Sequence, residues 1–183
     1  MSVYLKSFLS VFVFLFAIGP LQALADSAAE IDRDADAALQ NLYKSTPAAV
    51  KLSKTAKGIL VYPDVIKAGL LVGGQYGEGA LRVDGKTVGY YNTVAASYGL
   101  QAGAQSFGYA MFFMTDETLD YLKSSDGWEV GIGPSVVVVD EGVAKTLTTT
   151  TGKDDIYAFI FNQEGLMAGL GIQGSKITSI TPE

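Results

Sequence analysis

The chain contains no histidine and no cysteine in its 183 residues. Without histidine there is no Ser-His-Asp or Cys-His triad, no imidazole general base and no ordinary zinc or copper site. Without cysteine there is no thiolate chemistry and no disulfide, so stability must come from a hydrophobic core. Only carboxylate, lysine, tyrosine or serine chemistry survives, so no catalytic residue, metal ligand or cofactor is assigned. Positive charge is scarce as well. Thirteen Lys and Arg face 19 Asp and Glu, a formal net charge of −6 that repels nucleic acid.

Long apolar runs are missing beyond the first residues. Residues 1–25 read as a signal peptide: Lys6, an apolar run from Ser7 to Gly19, Pro20, then Ala23-Leu24-Ala25 with small residues at the −3 and −1 positions. That run spans about 20 Å as a helix, short of the roughly 30 Å hydrocarbon core. The competing reading is an uncleaved anchor, since no acid appears before Asp26. Cleavage after Ala25 leaves a chain of single-domain length, exported and periplasmic. It divides into a helical segment, 26–57, and a β domain, 58–183, forming one globular unit.

Glycine is abundant, at 21 residues, in a chain that is 49% apolar. Three stretches, Ala68–Gly79 (AGLLVGGQYGEG), Ser97–Gly108 and Leu166–Gly174, set glycines into strand-like sequence. Glycine weakens a strand, and its usual reason there is a bulge, a sharp bend or close backbone approach. Ahead of them, Asp26–Tyr43 has Ile31, Ala35, Ala38, Leu39 and Leu42 at helical spacing, with acids on the wet side. Thr46-Pro47 restarts a second helix to about Lys57, with Gly58 as its C′ residue. Ile59–Tyr62 is stopped by Pro63, and short strands follow at 68–75 and 78–83. Asp84-Gly85 is a hairpin turn into 86–91, with strands at 93–105 and 107–114. Thr115 caps a short helix ending near Ser124. Further strands fall at 128–130, 134–139, 143–151, 156–162, 166–173 and 176–180. The class is α+β, mainly antiparallel: a curved, barrel-like sheet with two N-terminal helices and one short inserted helix.

Lys44, Lys51, Lys54, Lys57 and Lys67 are opposed in their stretch by Asp64 alone. Two readings stand side by side: a basic patch for anionic lipid head groups, or a solvated helix face with lysines near a C-terminus. Tyr76, Tyr90, Tyr91, Tyr98, Phe107, Tyr109, Phe112 and Phe113 read as core and cross-strand packing, or more sharply as an apolar pocket or membrane-facing rim. Gly169–Gly174 matches G-x-G-x-x-G but lacks the following helix and acid of a dinucleotide site. Gly85-Lys86-Thr87 lacks the first glycine of a P-loop. Asp140-Glu141 and Asp154-Asp155 lack EF-hand spacing.

The blocks Lys57–Thr93, SYGLQAGAQSFGYAMFFMT (97–115), GWEVGIGPSVVVVD (127–140) and TTTTGKDDIYAFIFNQEGLMAGLGIQGSKIT (148–178) together resemble the lipid-binding SYLF domain. The resemblance implies membrane-lipid binding, with the contact in a basic N-terminal segment, where Lys54, Lys57 and Lys67, preceded by Lys44 and Lys51, fall here. Phosphoinositides, the ligands of eukaryotic members, are not carried over to an exported chain. Nor is actin binding, since the SH3 and FYVE partners are missing. The expectation is a non-catalytic periplasmic protein binding anionic membrane phospholipids. The alternative is an envelope assembly protein binding another protein through its glycine-rich sheet.

Overall fold

The computed structural model describes residues 26–139, 154–165 and 174–183, with the backbone alone for 97–102. The leader, Asp140-Glu141, the strands expected at 143–151 and 166–173, and most of the Gly169–Gly174 motif lie outside the described residues.

Helix α1 spans Ala28–Ser45 and opens on a reciprocal cap, Ser27 accepting from the Glu30 amide while Glu30 accepts from Ser27. These bonds hold the Glu30 carboxyl below its ordinary pKa. Helix α2, Pro47–Ser53, starts at the expected proline. Gly58 is not its left-handed cap: it begins the first strand, and a Cβ there would lie 2.8 Å from Leu119 Cδ1. The glycine makes room for α3, Asp116–Ser124, whose first turn Thr115 caps as expected.

The short strands expected between 58 and 114 are in fact two long ones. β1 runs Gly58–Val83 and β2 runs Lys86–Phe113, antiparallel and joined at Asp84-Gly85, both with positive φ. Pro63 does not end β1. It sits at a register shift between Tyr62 and Val65, where its missing N–H breaks no ladder bond. Straight, a strand of 26 residues would reach about 85 Å. It bends instead, most sharply between Leu70 and Val72, where Leu71 alone opposes the three residues 99–101 of β2. There β1 folds back on itself. A Cβ on Gly69 would lie 2.4 Å from Gly73 Cα, and one on Gly79 would lie 2.2 Å from the Val61 carbonyl oxygen.

The free edge of β2 is divided between its two halves. β5 (Ile156–Gly165) pairs antiparallel with Gln105–Phe113, and β4 (Val136–Val138) lies parallel beside β5. β6 (Lys176–Ile180) pairs with Tyr90–Val94, and β3 (Trp128–Glu129) pairs with β6. The result is a curled half-barrel, mostly antiparallel, with three helices: α+β, as expected.

Curling gives the sheet two packed faces. Leu60, Tyr62, Leu81, Phe107, Tyr109, Met111, Phe113 and Trp128 fill the inside with Leu119 and Leu122 of α3. Outside, Ile31, Ala35, Ala38 and Leu42 of α1, with Leu52 of α2, cover Val61, Ala80, Ala110, Phe112 and Phe159. Tyr109–Phe113 is therefore apolar on both faces because both are covered.

Because Gly79 touches backbone, Gly79→Ala is expected to cost about 2 kcal/mol or more of unfolding free energy in urea titrations. Gly74, whose added Cβ would meet only the Ala95 oxygen at 4.0 Å, is the control: Gly74→Ala should lose nothing. Equal effects at the two sites would mean that the fold-back does not exist in solution.

Candidate functional site

The five expected lysines do not form one patch. Lys44 closes α1, while Lys51 and Lys54 stand three residues apart along one side of α2; all three are exposed. Lys57 is exposed too, but its ammonium lies 3.1 Å from Asp116. Lys67 differs in kind. It is 9% exposed and lies on the inner face of β1. The helices thus present three lysines outward, without an ion pair among the described residues, and the sheet holds a fourth lysine inside.

The apolar face of α1 is committed to the outer core, and a polar clamp secures it. Arg82 Nη2 donates to Asp36 Oδ1 and to the Asp32 carbonyl, each at 2.8 Å. The Asp32 carboxylate accepts from Thr87 Oγ1 at 2.6 Å and Tyr90 Oη at 3.2 Å. Asp32 reads in sequence as one of several acids on the wet side of α1. Nothing local marks it as the one that reaches the sheet.

At the bend the chain shows the opposite behaviour. Ile66, Leu70, Leu71 and Val72 are exposed, Leu70 by 73% and Leu71 by 61%. Leu71 also takes φ 69°; the other described non-glycine residues with positive φ are Asp84 and Asn162, types that tolerate it. From Thr87 to Thr115 the opposing strand carries no Asp, Glu, Lys or Arg. Of the aromatics read as core packing or as a rim, Tyr76 is exposed. Tyr91, Phe107, Tyr109, Phe112 and Phe113 are core.

Next to the tip, Asp26, Asp34, Asp64 and Glu78 line a cleft of about 490 Å³ with Ile66 and Tyr76. Burial, then repulsion from Glu78, Glu30 and Asp34, raises the Asp26 carboxyl. Burial and the hydrogen bond to Glu78 push Tyr76 up to about 12. Among the described residues no acidic group is arranged to hold a metal ion. Asp155 is a loop staple, accepting from the Ser135 N–H at 3.0 Å and Oγ at 2.9 Å, and Asp154 accepts from Tyr157.

The inner face also turns polar near the bend, where Lys67, Gln75, Thr93 and Gln105 are all buried. Alternation carries the signal in sequence: Gln105 shares the parity of Phe107, Tyr109, Met111 and Phe113, and Lys67 that of Val65. Reading Lys67 with the helical lysines obscured it.

Residues 94–182 match the Ysc84 (SYLF) family model, described as Las17-binding protein actin regulator. No curated protein matches the chain. The match bears out the resemblance drawn from the sequence blocks, over slightly less than half the chain. SYLF is a lipid-binding, non-enzymatic family, and the match over residues 94–182 is consistent with lipid binding.

The clamp is testable separately. Arg82→Met keeps the aliphatic stem and removes the charge-assisted bonds to α1, and is expected to cost about 2 kcal/mol. Amide exchange across 28–45 should quicken; unchanged protection there would remove the clamp from the account of how α1 is held.

Proposed function

Starting from a chain whose residues 94–182 match the SYLF family, we propose an exported, periplasmic, non-catalytic protein that associates with anionic membrane phospholipids. Lys44, Lys51 and Lys54 are the head-group contacts. Lys57 adds to them less, since it already faces Asp116.

The observation that carries this reading is the division of labour in the N-terminal helices. Their apolar faces are buried against the sheet, and their lysines point to solvent. Such a pair touches a membrane by charge rather than by insertion. Near an anionic surface each lysine contributes about 1 kcal/mol, and the contribution fades with salt. No helix of the described residues is long and apolar enough to cross a membrane.

A second reading has its own support. The aliphatic tip Leu70–Leu71–Val72, in the glycine-rich part of the sheet, suits an envelope protein partner.

Flotation of the protein on phosphatidylglycerol-containing vesicles at two salt concentrations tests the first reading. Binding is expected to require the anionic lipid and to weaken with salt. The triple variant Lys44→Glu, Lys51→Glu, Lys54→Glu should lose about a hundredfold in affinity. Wild-type-like binding by the triple variant would exclude the helical lysines as the contact. Absence of vesicle binding together with one stoichiometric protein partner would favour the second reading.

A further inference from the structure

Alternation along the strands sorts the residues at the bend onto two faces. Val65 and Lys67 turn inward while Ile66 between them is exposed. Gln105 pairs with Lys67 in register. Past the bend, Gln75 shares the inward parity of Leu81, and Thr93 that of Tyr91. Gly69 folds against Gly73, and Lys67 and Gln75 stand two residues outside that contact on either side. The bend therefore gathers these side chains into one stretch of the interior.

Three buried polar atoms of the inner face have no hydrogen-bond partner: Thr93 Oγ1, Gln105 Nε2 and Tyr109 Oη, the Tyr109 ring stacking on Tyr62, whose hydroxyl reaches the Asn92 carbonyl beside Thr93. Their residues are at least nine-tenths buried, at 0%, 8% and 0% exposed. Buried donors are almost always satisfied in folded proteins, so three together point to an occupant. Charge indicates its sign. Lys67 is the charged side chain among the buried described residues, whereas Asp64 and Glu78 line the cleft on the opposite face.

We propose that the interior below the bend binds a phosphate oxyanion, with Lys67 supplying the charge and Gln105, Thr93 and Tyr109 the hydrogen bonds. The ammonium, the amide N–H and both hydroxyls can donate, and an ionised phosphate diester offers acceptors only. Gln75, whose amide reaches Ser175 Oγ at 3.5 Å, completes the polar lining. The exposed tip Leu70–Val72 adjoins this stretch and gives acyl chains an apolar surface. A phospholipid thus satisfies both parts, and free phosphate satisfies one. The inference rests on the lipid reading above and adds to it a site separate from the helical lysines.

The test is calorimetric titration of the protein with dihexanoyl phosphatidylglycerol below its micelle concentration, and in parallel with inorganic phosphate. The variants are Thr93→Val, Gln105→Leu and Lys67→Met, with melting temperature recorded for each. Thr93→Val and Gln105→Leu are expected to weaken short-chain lipid binding about tenfold or more. They should leave the melting temperature of the unliganded protein unchanged or raised, because each removes an atom without a partner. Equal affinity for inorganic phosphate would support the oxyanion site and assign it to free phosphate. Variants that melt lower yet bind as wild type would overturn the proposal, as would absence of binding to both probes. Either result leaves the vesicle flotation of the Lys44, Lys51, Lys54 variant to decide the helical contact by itself.

Discussion

The contact of β1 with its own backbone governs the rest of the structure. Gly79 lies against Val61 with no room for a side chain, and Gly69 against Gly73. A hairpin of this length can be a compact domain only if it folds over. The fold-back gives the sheet its inside and outside faces, each with its own core. It also divides the free edge of β2 into two docking stretches, one for β5 and one for β6. The apolar tip and the polar interior are consequences of the same bend. Residues at its apex stand exposed, and the inward residues beside it include the buried polar side chains of Lys67, Gln75, Thr93 and Gln105.

The proposed function rests on how charge is distributed over that frame. The acids crowd one cleft near the start of α1, while three lysines stand on α1 and α2 facing solvent. Lys57 immediately precedes β1, and Leu71 lies well along the strand, past one register shift and inside the second. The helical lysines and the aliphatic tip are thus set by different parts of the chain. A contact made through the first would be salt-sensitive, and one made through the second salt-insensitive. In the α1 clamp, Asp32 and Arg82 keep the amphipathic helix on the sheet, so its hydrophobic face serves the fold before it serves any membrane.

Much of this was legible in the sequence. The periodicity of α1, the Thr46-Pro47 restart, the Asp84-Gly85 turn, the Thr115 cap and the strand at 176–180 all follow from local rules, and local rules are what a single sequence exposes. The lengths of β1 and β2 were not legible. Pro63 and the glycines normally punctuate strands, and here a bulge and a fold-back absorb them without ending the pairing. Gly58 misled for a related reason: a glycine kept for Leu119 looks the same in sequence as one kept for a left-handed cap. Among the candidate site residues, Lys44, Lys51 and Lys54 were read from sequence as a basic cluster, and the structure leaves them exposed. Lys67 was grouped with them by proximity in sequence, although its strand parity places it inside. The Asp32 clamp spans fifty residues or more, beyond any local pattern.

The most direct test of the proposed membrane association is amide hydrogen exchange with and without phosphatidylglycerol vesicles. Vesicles are expected to slow exchange around Lys51 to Lys57 while α1 keeps its protection on the sheet. Faster exchange across Ala28–Ser45, or no change anywhere in the protein, would contradict the picture of a docked helix pair that reads lipid head groups by charge.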